Sequence, residues 1–168
     1  MSSDHKIVRL NTAKPKAEAD KILRQKWGSV LDDGFTVVPS VLIHSLTAMK
    51  LGATELAILV ALIDLWWSPA DMPWPSKSKL AKRLGISEST VQRSLKRLVA
   101  EGLIVSEARF RGHGGQTSNR YDLTPLVARL EAISKDLKTA EAAADDLKRK
   151  AVRKSAPAKA SPRTQAAS

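Results

Sequence analysis

The run Ser76-Lys-Ser-Lys-Leu-Ala-Lys-Arg-Leu-Gly85-Ile-Ser87, continuing as Glu88-Ser-Thr-Val-Gln-Arg-Ser-Leu-Lys-Arg-Leu-Val-Ala100-Glu101-Gly102-Leu-Ile104, decides the fold. Ser76 is placed to cap a first helix, because its hydroxyl can accept a backbone N–H two or three residues on. Leu80, Ala81 and Leu84 then form an apolar face at helical spacing, with Lys77, Lys79, Lys82 and Arg83 pointing elsewhere. Gly85 ends this helix where a positive φ is cheap, and Ile86 plugs the turn. Ser87 caps the next helix. The spacing of its apolar residues buries Val91, Leu95 and Leu98, with Val99 beside them. Two helices around a tight turn follow from these local signals alone.

The second helix then presents Ser89, Gln92, Arg93, Lys96 and Arg97 on or beside its outer face. Glutamine can bond adenine in a bidentate way, and arginine can do the same to guanine. Early positions of such a helix meet base edges while the preceding helix crosses the phosphate backbone. Thr90 and the amides near Ser87 suit a phosphate, since a helix N-terminus favours an anion. Ser76, Lys77 and Lys79 on the first helix are the matching backbone contacts. A basic helix face taken alone is as often merely solvated. Its setting in a capped helix-glycine-helix points to DNA.

Beyond Gly102 the period changes from helical to alternating. Ile104, Ser106, Ala108 and Phe110 fall on one face of a strand, with Leu103, Val105, Glu107 and Arg109 on the other. Gly112-His-Gly-Gly115 makes a turn, and Thr117 to Leu123 a second strand with Asn119, Tyr121 and Leu123 inward. A hairpin directly behind such a helix is a wing. Arg109, Arg111, Gln116 and Arg120 near its tip suit phosphates or the minor groove. The glycine-rich tip is no phosphate-cradling loop, for it lacks a following helix and a Lys-Ser/Thr pair.

The segment resembles the winged helix-turn-helix DNA-binding superfamily, particularly its bacterial, phage and plasmid members. The resemblance rests on Trp74-Pro75-Ser76, Leu80-Ala81, Leu84-Gly85-Ile86-Ser87, Thr90-Val91, Leu98, Gly102-Leu103-Ile104 and Ser118-Asn119-Arg120-Tyr121, and covers about residues 35–123. It implies DNA binding, in transcription regulation or in plasmid or phage replication control. A shared fold does not by itself decide between those roles.

The balance of charge agrees. The 168 residues carry a formal charge of +11, which calls for a polyanionic partner. Between Ser76 and Leu123 there are ten Lys/Arg against four Asp/Glu, so the excess sits inside the motif. The absence of cysteine excludes disulfides, a thiolate nucleophile and a cysteine zinc site. The polar start Met1-Ser-Ser-Asp-His-Lys6 has no secretory h-region, so a cytoplasmic location is expected.

The fold class expected is mainly α with a small β-hairpin wing, extended at both ends. Residues 1–15 read as a flexible arm and 16–50 as an N-terminal helical extension. The winged domain takes 51–123, a long helix 124–151 and a disordered basic tail 152–168. In the extension, Lys16 to Trp27 is helical with Ile22, Leu23 and Trp27 on one side; Gly34 to Pro39 is extended. Pro39 opens a helix holding Val41, Leu42, Ile43 and Leu46. Trp27, Phe35 and these aliphatics are read as roofing the core. Thr54 is expected to cap an apolar helix over Leu56 to Trp67, roughly 18 Å long and too short for a bilayer. Trp66, Trp67 and Trp74 bracket the Ser68–Pro73 loop and are read as plugging that helix's end. A stacking platform for single-stranded bases would instead leave them exposed.

Thr124-Pro125 starts the last helix, with the threonine hydroxyl as cap. Leu126, Leu130, Ile133, Leu137, Ala140, Ala144, Leu147 and Ala151 follow at alternating gaps of four and three, a heptad seam. Two readings stand: a homodimer through 126–151, or a helix folded back on its own domain. From Lys148 onward the chain is basic and poor in large apolar groups, hence disordered.

No catalytic or metal constellation is apparent. His5, His44 and His113 lack ligands at suitable spacing, His44 is expected to border the core, and Asp32-Asp33 reads as a solvated turn. No nucleophile elbow, P-loop or dinucleotide fingerprint is present, so neither an enzyme nor a cofactor is expected. The leading expectation is a transcriptional regulator binding double-stranded DNA. The alternatives are a plasmid or phage replication module and a protein-interaction winged helix docking on replication or transcription machinery.

Overall fold

A computed structural model describes residues 16–110 and 117–155. In order they form α1 (Lys16–Trp27), a 3₁₀ turn (Gly28–Asp33), α2 (Ser40–His44), α3 (Ala53–Asp64), α4 (Lys77–Leu84), α5 (Glu88–Ala100), β1 (Val105–Glu107), β2 (Arg120–Asp122) and α6 (Thr124–Ser155). The chain divides into two compact units, Met1–Val37 and Val38–Ser168. The arm 1–15, the wing tip with Arg111, His113 and Gln116, His5, and the tail from 156 lie outside the described residues.

In the first unit α1 packs with the 3₁₀ turn, and Arg24 ties them through Asp32 at 3.0 Å. Trp27 and Phe35, expected to cover a core, are 52% and 62% exposed.

The second unit is a winged helix-turn-helix. Its core is built from the apolar faces that the helical period defines: Ile58, Leu59 and Leu62 of α3, Leu80 and Ala81 of α4, and Val91, Leu95 and Leu98 of α5. Leu103, Ile104, Tyr121 and Leu123 close it from the hairpin. Leu42 and Met49, assigned by sequence to the N-terminal extension, are buried in the same core. The α2 helix is shorter than expected, stopping at His44, with Leu46 in the hydrogen-bonded turns that follow. His44 is exposed rather than bordering the core.

Local capping is mostly as the sequence dictates. Ser76 Oγ accepts from Lys79 N at 3.1 Å, and Ser87 Oγ from Thr90 N at 3.1 Å. Gly85 sits at φ 65°, ψ 30°, the left-handed region that ends helices. The cap of α3 differs from expectation. Thr54 lies inside the helix, and Gly52 precedes it with its N–H donated to Glu55 Oε2 at 3.0 Å. A Cβ on residue 52 would meet that oxygen at 3.0 Å, so glycine allows the carboxylate to close in. At α6 the Thr124 hydroxyl is not the acceptor; it and its N–H both donate to the Asp122 carboxylate, at 2.8 Å each.

Glu55 also joins α3 to α5. Its Oε1 accepts from Ser94 Oγ at 2.8 Å, both side chains being buried. Sequence spacing placed Val99 on the inner face; Val99 is 41% exposed and Ser94 is buried instead. Burial alone would raise the Glu55 pKa. The hydrogen bonds from Ser94 and Gly52, with the nearby positive Arg97, outweigh it and hold the carboxyl below its ordinary 4.5. A depressed folded pKa contributes stability above the unfolded value, lost as pH falls through the folded one. The melting temperature of Glu55→Gln should therefore trail the wild type most at neutral pH. The gap should narrow on acidification below 4.5, as read by thermal melts between about pH 7 and pH 3.

The hairpin is short. β1 pairs antiparallel with β2 in the register Ser106↔Tyr121, and Asn119 Nδ2 donates to Ser106 Oγ at 2.8 Å. The long alternating first strand is not formed: Leu103 and Ile104 are both buried before β1 begins, and Phe110 is 68% exposed. The core takes both residues after Gly102 because the chain turns there rather than running straight. The α6 seam divides. Leu126 and Leu130 are buried and Ile133 packs against the core, whereas Leu137 and Leu147 are 49% and 68% exposed. Its first turns thus serve its own domain, with α2 as a neighbour.

Candidate nucleic-acid interface

The outer face of α5 is set by its inner one. With Val91, Ser94, Leu95 and Leu98 buried, positions 89, 92, 93 and 96 are left on the opposite stripe, and all four are exposed. Arg93 and Lys96 have no partner among the described residues. Gln92 Oε1 accepts from Lys77 Nζ at 3.4 Å, a weak link that leaves its amide donors free to point outward. The α5 N-terminus carries a hydroxyl cluster: Ser87 Oγ lies 2.8 Å from both Ser89 Oγ and Thr90 Oγ1. Ser89 is exposed and Thr90 half-buried.

Arg97 differs from its neighbours. Its guanidinium donates to the Lys50 carbonyl, at the end of the turns after α2, where Lys50 is left-handed at φ 55°. It therefore braces α5 against the segment before α3. Arg83 is likewise engaged, with Asp64 of α3. These two arginines position the helices.

On the first helix Ser76, Lys77 and Lys79 stand at the α4 N-terminus. Ser76 and Lys77 share a groove with the hairpin, lined also by Glu88, Ser118, Asn119 and Tyr121. Of the wing residues, Arg120 lies 4.0 Å from Glu107 across the hairpin. Arg109 is not extended to solvent; its guanidinium stacks over Trp74, 4.4 Å from the ring centroid. Arg111 and Gln116 fall outside the described residues.

Two of the three tryptophans around the Ser68–Pro73 loop depart from the expectation. Trp67 and Trp74 do not plug α3; they are 88% and 58% exposed, and only Trp66 packs against the core. The signal available was Pro73-Trp74-Pro75, since residues preceding proline are driven into extended backbone, whose side chains alternate in direction. Among the described residues no cluster of His, Asp and Glu could hold a metal ion, and no helix is long and apolar enough to cross a membrane.

A family model described as a helix-turn-helix domain matches residues 50–104, about a third of the chain and all of α3, α4 and α5. Among solved structures, one described as a "possible transcriptional regulator" from Methanosarcina mazei Go1 is similar at 22% identity. The likeness covers 66% of this chain and 85% of that one, with a TM-score of 0.43. No curated protein matches. Residues 50–104 are a helix-turn-helix domain, and the hairpin behind them makes it winged.

Proposed function

We propose that this winged helix-turn-helix domain binds double-stranded DNA and regulates transcription. In this reading α5 enters the major groove with Ser89, Gln92, Arg93 and Lys96 towards base edges. Ser76, Lys77, Lys79, Ser87 and Thr90 hold phosphates, and the wing with Arg109, Arg111, Gln116 and Arg120 follows the backbone or minor groove. The observation that carries it is the exposed stripe at 89, 92, 93 and 96 on a helix clamped from behind by Ser94–Glu55 and Arg97–Lys50. A reading helix needs such bracing, because base contacts tolerate little misplacement. Arg97 leaves the base-reading set for a positioning one.

The exposed continuation of the α6 seam, from Leu137 to Leu147, is where a second protomer would pair, which fits the two half-sites that such domains commonly read. The inner part of the seam, Leu126 to Ile133, is already spent on the domain's own core.

The experiment is a salt titration of duplex binding by fluorescence anisotropy. With about six phosphates neutralised, log affinity should fall against log salt with a slope of about −5. A slope near zero would contradict phosphate contact by these lysines and arginines.

A further inference from the structure

Trp67 and Trp74 line one cavity of about 570 Å³ together with Ser76, Lys79 and Ser118. This cavity shares Pro75, Ser76 and Ser118 with the groove beneath the hairpin. That groove in turn shares Lys77, Asn119 and Tyr121 with a hollow reaching Gln92 and Lys96 of α5. One furrow therefore runs from a pair of exposed indoles to the recognition helix.

The aromatic end is held in place rather than left loose. Met72 and Trp74 each precede a proline, which favours extended backbone. Pro73 and Pro75 are buried while Trp74 between them faces out. Pro73 O accepts from Tyr121 N at 2.9 Å, and Trp74 O from Ser118 Oγ at 3.0 Å, so the segment is pinned along β2. Arg109 covers part of the Trp74 ring, adding positive charge at that end. Lys79 sits in the indole cavity, with Lys77 and Lys96 farther along; Asp71 and Glu88 are the acids of the furrow. A ligand matching this surface has flat apolar groups strung on a negative backbone. Single-stranded nucleic acid has that chemistry. Paired bases do not, because their faces are hidden within the stack.

We propose that the furrow holds single-stranded DNA, with unpaired bases stacked on Trp67 and Trp74 and their phosphates on Lys77 and Lys79. The inference extends the nucleic-acid reading of the domain, so its test uses ligands that separate the two.

The probes are an oligothymidine of about twelve nucleotides, an abasic oligonucleotide of the same length, and a duplex measured in parallel. Oligothymidine should quench the intrinsic tryptophan fluorescence and bind roughly tenfold or more tightly than the abasic strand, because stacking needs bases. Trp67→Ala and Trp74→Ala should each weaken oligothymidine by about 5- to 150-fold, and Trp74→Phe should keep most of the affinity. Trp67 is solvent-exposed, so its variant folds as the wild type does, which circular dichroism checks. Equal affinity for the thymidine and abasic strands, or unchanged affinity in both alanine variants, would overturn the proposal. Failure of the wild-type protein to bind oligothymidine while it binds duplex would sink this proposal alone. The reverse pattern would sink the duplex reading alone.

Discussion

Leu98→Ala should lower the unfolding free energy by about 2–5 kcal/mol, and the melting temperature by about 10 °C or more. Leu98 is fully buried on the inner face of α5, and its carbonyl also receives the Leu103 N–H at 3.0 Å as the chain turns into the hairpin. Truncation loses the transfer energy of the removed carbons and leaves a cavity in the core that joins α5 to the hairpin. The surroundings cannot readily collapse into it, since α5 is also tied through Ser94 to Glu55 and through Arg97 to Lys50. The neighbouring Val99→Ala serves as the comparison. Val99 is 41% exposed, so its truncation should change stability by only about 0.5 kcal/mol. Denaturant melts of the two variants would separate the faces of the helix; equal losses would mean that the inner face is misassigned.

That contrast also shows how far the sequence could be read. The helix-turn-helix was legible because its signals are local: Ser76, Gly85 and Ser87 act on amides or backbone angles within a few residues, and Leu80/Leu84 and Val91/Leu95/Leu98 repeat at the helical period. The outer stripe at 89, 92, 93 and 96 followed from the inner one. What the period could not tell was which polar residue the core would accept. Ser94 lies on the buried side because Glu55, 39 positions away, supplies its partner, and no local pattern announces such a pair. Gly52 was passed over as a cap for the same reason, its role depending on Glu55 reaching back. In α6 the four-three spacing is common to coiled-coil seams and to helices packed on a core. Only the third dimension divides it after Ile133. Trp66 packs as its apolar setting suggests, whereas Trp67 and Trp74 face outward, Trp74 because the prolines on either side hold it in extended backbone.

Reversing two charges on the outer stripe, Arg93→Glu with Lys96→Glu, should weaken duplex binding by at least about a hundredfold near physiological salt. Each replacement removes a cation and sets a carboxylate against the phosphates, so four charge units change on one helix face. Both residues are exposed and unpartnered among the described residues, and the helix keeps its caps and its buried face. Stability should therefore stay within about 0.5 kcal/mol of wild type for each exposed position. Unfolding thus cannot imitate the loss. Arg97→Ala should behave differently, because its guanidinium braces the Lys50 carbonyl. Its effect on binding should come with a measurable fall in stability.

The most direct test of the account is selection of bound fragments from sheared genomic DNA, with excess random competitor, by the wild type and by a Gln92→Ala/Arg93→Ala variant. A helix that reads bases predicts that the wild type enriches a few related sequences, and that the variant loses this preference more than it loses general affinity. Equal enrichment by both proteins, or none by either, would contradict sequence reading by α5.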